Sequence, residues 1–198
     1  MVGIIHYRMG NVTSVKNALE FLGVPVMLVE NPKELDQVSH IILPGVGAFH
    51  DGMKNLRELG FVDTLSRAVL EEKKPFIGLC LGMQLLASSG DEGGEAEGLN
   101  FIPGRVKHLP EKSLRIPHVG WNNARVVRKN SIISAEADFY FVHSYYFDVT
   151  DRETVVAETD YGSTFPSVVA KENIFGTQFH PEKSHVAGLD ILKNFSRL

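Results

Sequence analysis

Residues Phe76 to Leu86 read FIGLCLGMQLL: an apolar run, a G-x-C-x-G, and the start of a helical pattern. The run from Phe76 to Leu79, just after Pro75, has the length and continuity of a strand covered on both faces, and Met83 to Ala87 reads as the helix that follows it. A strand that turns directly into a helix belongs to an α/β sheet, and at such a turn small flanking residues lift a nucleophile off the sheet's end. Gly78 and Gly82 supply that freedom around Cys80. Unpaired N–H groups and the positive dipole end at a helix start favour a thiolate, and the N–H of Leu81 sits where an oxyanion would form. The competing reading is a core thiol, common for free cysteines; the glycine frame and the strand-to-helix context favour the nucleophile.

The pattern repeats toward the N-terminus. Val2 to Tyr7 is strand-like, and Val12, Val15, Leu19 and Leu22 form one helical face that stops at Gly23. Pro25 to Val29 and His40 to Leu43 are further strands, separated by the turn signal Asn31-Pro32, and the second runs into Pro44-Gly45-Val46-Gly47. Met53, Leu56 and Leu59, then Val62, Leu65, Ala68 and Val69, give helical faces on either side of Gly60. This alternation predicts an α/β fold with a mostly parallel twisted sheet and helices on both faces. The second half differs. Val106, Ala124 to Val127, Asp138 to His143, Thr154 to Glu158, Ser167 to Ala170 and Ile174 to Phe179 predict short antiparallel strands, before a helix from about His185 to Phe195. The polar, glycine-rich stretch Gly90 to Gly98 reads as a loop. Neither a repeat nor a long linker interrupts residues 1–198, so a single domain is expected.

Composition excludes several functions. Twenty Lys and Arg against 24 Asp and Glu leave no bulk basicity to attract nucleic acid or an acidic membrane. No apolar stretch approaches the roughly 18 residues of a membrane span, and the N-terminus lacks a signal-peptide pattern. One cysteine cannot form an internal disulfide, which points to the cytoplasm. The histidines lack cysteine or carboxylate clusters at ligand spacing, and no phosphate-binding glycine motif occurs, so neither a metal nor a cofactor is expected.

A thiolate doing acyl transfer needs a base. Of eight histidines, His180 stands out in Gln178-Phe179-His180-Pro181-Glu182, where it follows a strand and has a carboxylate two residues on, with Pro181 fixing the backbone between. Cys80, His180 and Glu182 then make a nucleophile, base and orienting acid.

Together, G-x-C-x-G-x-Q through Gln84, Pro44-Gly45-Val46-Gly47 after a strand, and Gln178 to Ser184 resemble the class I glutamine amidotransferases, which have a flavodoxin-like α/β fold. Pro117-His118-Val119-Gly120-Trp121-Asn122 and Tyr140-Phe141-Val142-His143-Ser144-Tyr145 are similar to the glutaminase subunits of imidazole glycerol phosphate synthase, and the resemblance runs from Met1 to Leu198. It implies hydrolysis of L-glutamine through a thioester on Cys80, with His180 moving the proton and Glu182 holding its tautomer. The oxyanion hole would be the N–H groups of Val46 and Leu81, with glycines around Val46 allowing its peptide to reorient. Glutamine contacts would come from Gly45, Gly47, Gln84, Glu92, His143, Ser144 and Tyr145. The implied partner is a cyclase subunit with a (βα)8 barrel, in a heterodimer docked through His118, Trp121, Asn122 and Lys183, that uses the ammonia in histidine biosynthesis.

One turn departs from the pattern. Where the family reads I-D-Y-G-x-G-N, this chain has Ile5-His6-Tyr7-Arg8-Met9-Gly10-Asn11, which changes the charge at the carboxyl end of the first strand. Two other readings share features with this one: a paralogous glutaminase feeding a sugar-amidating synthase, and a cysteine hydrolase or peptidase on a similar sheet.

Overall fold

Every apolar run of the first half becomes a strand of one nine-stranded sheet in the computed structural model, which describes residues 1–110 and 114–198. The first half comprises β1 (Val2–Ile5), α1 (Val12–Phe21), β2 (Val26–Val29), β3 (His40–Gly45), α2 (Phe49–Glu58), α3 (Phe61–Ser66), β4 (Phe76–Cys80) and α4 (Leu81–Gln84). The second contains β5 (Ser89–Gly90), β6 (Ala96–Glu97), β7 (Gly104–His108), β8 (His118–Val126), β9 (Ala137–His143), β10 (Tyr145–Val149), β11 (Val155–Asp160), β12 (Thr164–Lys171), β13 (Ile174–Thr177) and α5 (His185–Phe195). The large sheet runs β2-β1-β3-β4-β13-β12-β11-β8-β9; its first five strands are mutually parallel and the rest antiparallel. A four-stranded sheet, β10-β7-β5-β6, packs beside it.

Alternation along the central strands produces two apolar layers. Ile5, Ile41, Leu43 and Phe76 face α2 and α3 through Phe49, Met53, Phe61 and Leu65. Ile4, Ile42, Ile77 and Leu79 point the other way, onto Val15, Leu19, Ile191, Leu192 and Phe195 of α1 and α5. Side chains of successive strand residues leave opposite faces, so continuous apolar runs are what a doubly covered sheet requires. The helix limits follow their punctuation. Asn11 caps α1 by accepting from the Ser14 N–H at 3.1 Å, and Gly23 leaves it at φ 71°.

Two expectations are corrected. The helix after Cys80 covers only Leu81–Gln84 rather than Met83 to Ala87, because the chain must turn at once to let Ser88 N–H reach the Gly104 carbonyl at 2.9 Å. The Gly90-to-Gly98 stretch is not simply a loop. Its ends pair as β5 and β6, Gly90 is buried so tightly that a β-carbon would lie 2.9 Å from the Phe49 ring, and Arg105 holds Glu95 at 2.6 Å. Tyr145–Val149, which nothing in the sequence marked, is a strand of the smaller sheet, so Ser144 is the crossing point between β9, which ends at His143, and β10. No helix among the described residues is long and apolar enough to cross a membrane.

Candidate active site

Cys80 is the last residue of β4, and its backbone has φ 53° and ψ −107°, a conformation that a residue with a β-carbon adopts only under strain. The flanking glycines are required sterically. A β-carbon on Gly78 would collide with the Gly82 carbonyl, and one on Gly82 with the Leu43 carbonyl. The thiol is 5% exposed and lies at the carboxyl edge of the parallel strands, between the ends of β3 and β13.

His180 approaches from just beyond β13. Its N–H donates to the Tyr140 carbonyl at 3.0 Å and its own carbonyl accepts from Ser184 Oγ at 2.6 Å, fixing the backbone. Nδ1 lies 2.9 Å from Glu182 Oε1, with both side chains almost fully enclosed. Glu182 as acceptor keeps the proton on Nδ1 and turns Nε2, which has no hydrogen-bond partner among the described residues, toward Cys80. Burial disfavours the imidazolium, but Cys80 and Glu182 outweigh it and push His180 up to about 10. These neighbours therefore favour the imidazolium form of His180.

A cavity of about 390 Å³ opens onto the thiol. It brings together Val46, Gly47, Leu81, Gln84, Glu92, His143, Ser144 and Tyr145, all singled out from sequence. Pro117, Val142 and Ala48 complete the lining; Pro117 and Val142 belong to stretches that carry the resemblance, but none of the three had been assigned a contact. Gly45 does not line it but lies beneath, against Tyr7 and Leu81. Val46 is exposed at the mouth, and Leu81, as the first residue of α4, has an N–H with no intrahelical acceptor. Glu92 is half-buried, and loss of solvent raises its carboxyl above the usual carboxylate range, with the Phe49 N–H partly offsetting this.

Gln178 escaped the sequence reading although it begins the Q-F-H-P-E stretch. It is fully buried; its Nε2 donates toward Cys80 Sγ at 3.8 Å and its Oε1 accepts from Gln84 Nε2 at 3.2 Å. Gln84 Nε2 also donates to the Tyr145 carbonyl at 2.8 Å. Only the fold brings these three segments together.

The residues assigned to docking separate into two groups. Trp121 is 49% exposed and stacks on His185 with centroids 4.8 Å apart; Val119 beside it is exposed, and Lys183 lies over the Tyr140 ring at 5.9 Å. Asn122 is half-buried. His118 is corrected: it is 2% exposed, because the pleat of β8 turns it inward between the rings of Phe141 and Tyr161, so it offers no surface to a partner.

The family model for class I glutamine amidotransferases matches residues 4–197. The chain is 46% identical to the "Imidazole glycerol phosphate synthase subunit HisH 1" of Campylobacter jejuni subsp. jejuni serotype O:23/36, covering all of both chains. It is 46% identical to the HisH subunit of Moorella thermoacetica over all of this chain and 94% of that one. It is 43% identical to the HisH 2 subunit of Methanococcus maripaludis over 98% of each. Among solved structures, one described as a glutamine amidotransferase superposes with a TM-score of 0.77 at 22% identity, over 98% of this chain and 96% of that one. The PurLQS structure from Thermotoga maritima gives 0.78 at 19%, with the same coverage. The fold is that of these two structures, and the chain belongs to the class I glutamine amidotransferase family, within its imidazole glycerol phosphate synthase HisH branch.

Proposed function

We infer that residues 1–198 act as one glutaminase domain that hydrolyses glutamine to glutamate and ammonia and delivers the ammonia to a cyclase making imidazole glycerol phosphate and aminoimidazole carboxamide ribotide in histidine biosynthesis. The observation that carries this reading is Cys80 at a strained turn beside the buried His180–Glu182 pair, in a chain matched over its whole length by HisH relatives. Cys80 Sγ attacks the side-chain amide carbon of glutamine, and the Val46 and Leu81 N–H groups receive the oxyanion. As the carbon–nitrogen bond breaks, the Nε2 proton of His180 goes to the departing ammonia, leaving a thioester on Cys80. His180 then takes a proton from water, the hydroxide equivalent attacks the thioester, and glutamate leaves as the thiolate is restored. Glu182 holds the ring in the tautomer both steps need. Glu92 and the Gly47 and His143-to-Tyr145 segments bind the amino-acid end.

The partner is a (βα)8-barrel cyclase subunit in a cytoplasmic heterodimer, docked over Trp121, Asn122 and Lys183. The exposed Trp121 beside exposed Val119 supports this, since aromatic anchors commonly carry interface affinity. The test is ammonia release from glutamine by the purified chain, alone and with a cyclase subunit bearing its ribonucleotide substrate. A large rise with the loaded cyclase is expected. Activity that is absent with this partner but awakened by a sugar-amidating synthase would replace the cyclase assignment. That second reading draws on the first turn, where His6 pairs with Glu30 at 3.0 Å and Arg8 is exposed at φ 68°. Rescue of a histidine auxotroph separates the two.

A further inference from the structure

The inward turn of His118 produces a chain of hydrogen bonds whose direction is fixed from both ends. At one end, Asn122 Nδ2 donates to the Asp160 carbonyl at 3.0 Å while its Oδ1 accepts from the Asn123 N–H at 2.8 Å, which settles the amide's orientation. Nδ2 also faces His118 Nε2 at 3.2 Å and can only donate, so Nε2 is bare and the His118 proton is on Nδ1. His118 Nδ1 lies 3.0 Å from His143 Nε2 and donates to it. At the other end, His143 Nδ1 is 2.8 Å from the Tyr145 carbonyl, which can only accept, so His143 also carries its proton on Nδ1. The two assignments, made independently, agree at the His118–His143 contact.

The rings are well shielded. His118 is 3.9 Å from the Tyr161 ring and 4.8 Å from the Phe141 ring, nearly parallel to both, and His143 is 6% exposed. Loss of solvent pushes His118 down to about 4 and His143 down to about 3, so both are neutral donors and acceptors at neutral pH.

Position gives the chain a purpose. His143 ends β9 of the large sheet, Tyr145 begins β10 of the small one, and Ser144 is the single residue between them. The Tyr145 carbonyl accepts from both His143 and Gln84, which uses both of its lone pairs and fixes the peptide joining Tyr145 to Tyr146, directly after the crossing. We propose that Asn122, His118 and His143 form a one-way relay that holds the crossing between the two sheets, and with it the Ser144–Tyr145 wall of the glutamine cavity. Asn122 and His118 are thus positioning residues for glutamine, a conclusion that rests on the glutaminase reading for its ligand but not for its geometry.

Two measurements test this on the full chain. In long-range 15N–1H spectra of the wild-type imidazoles at pH 7.5, both rings give the Nδ1–H tautomer, the minor form of free neutral histidine; an Nε2–H pattern in either ring overturns the relay. Glutamine affinity is then measured by calorimetry in a Cys80→Ala background. His118→Phe keeps the stacked ring but strips the hydrogen bonds, and is expected to weaken glutamine about tenfold, the effect of unpairing buried polar groups. His118→Gln loses the ring but retains a donor and an acceptor, and restores affinity to within about threefold of the parent. The reverse order, with His118→Phe tight and His118→Gln weak, means that His118 is only packing and overturns the proposal. Absence of glutamine binding in the Cys80→Ala parent counts against the glutaminase reading, whereas the tautomer result stands or falls without it.

Discussion

A β-carbon on Gly45 would collide with the Tyr7 hydroxyl, so the end of β3 can pack against Tyr7 only as glycine. That hydroxyl is enclosed and lacks a hydrogen-bond partner among the described residues. Burial, with Cys80 adding to it, holds the phenol far above its usual range and keeps it neutral. An unpaired buried hydroxyl costs about 1–3 kcal/mol, so Tyr7→Phe should stabilise the protein by about 1 kcal/mol in urea titrations. Gly45→Ala should destabilise it by more than about 2 kcal/mol, and Tyr7→Phe should recover part of that loss. Strictly additive effects would mean that the two groups do not interfere. A loss of stability in Tyr7→Phe alone would show that the hydroxyl has a partner.

Removal of the thiol should reveal the strain at position 80. Cys80→Gly and Cys80→Ala both abolish ammonia release, but glycine adopts φ 53° freely and alanine does not. The glycine variant should be the more stable by about 1 kcal/mol, less than the full 1–3 kcal/mol of strain because glycine loses more chain entropy on folding. Calorimetric melting of the two proteins decides it; equal or reversed midpoints would locate the strain elsewhere.

Glu182 acts only through His180, and its replacement should separate rate from binding. Glu182→Gln is expected to lower kcat by about 10²–10⁴-fold, since an amide can orient the ring either way and leave Nε2 protonated in the wrong state. KM for glutamine should stay within about threefold, because Glu182 does not line the cavity. Steady-state kinetics of the partner-bound enzyme measure both, and a change confined to KM would refute the orienting role.

The buried histidines also set a pH dependence. His118 and His143 titrate in the unfolded chain near 6.5 and in the native protein near 4 and 3, burial being the largest cause for each. Below about pH 6.5 the unfolded state binds protons that the native state refuses, so their stabilisation is complete above that pH and is lost as pH falls toward 4 and then 3. Urea unfolding between pH 7 and 4.5 should show a steeper loss in the wild type than in His118→Phe, by about one proton, or about 1.4 kcal/mol per pH unit. Parallel curves would contradict the neutral buried state of His118.

Which parts of this structure were legible in sequence depended on how local their causes were. The parallel half was readable because its strands are continuous apolar runs and its helices have one apolar face, patterns set within ten residues. Cys80, His180 and Glu182 could be singled out for the same reason: glycines around a turn and a carboxylate two residues from a histidine are local devices. His118 was misassigned to the surface because the inside of β8 is decided by its pairing with β9, where His118 lies opposite His143. Gln178 was overlooked because its partners Cys80 and Gln84 are nearly a hundred residues away. The strand after Ser144 was missed because Tyr145–Val149 has no turn signal separating it from β9; only the change of sheet does so.

The position of β13 has a consequence for synthesis on the ribosome. The strand carrying Cys80 has β3 on one side and Ile174–Thr177 on the other, so it remains an open edge until most of the polypeptide has been made. An elongating chain therefore carries an unpaired, wholly apolar strand, the kind of template that recruits other nascent chains. The strand that ends in Cys80 is thus also a point at which a growing polypeptide is prone to aggregate, and arrival of the strand that leads into His180 closes that hazard as it brings the two side chains together.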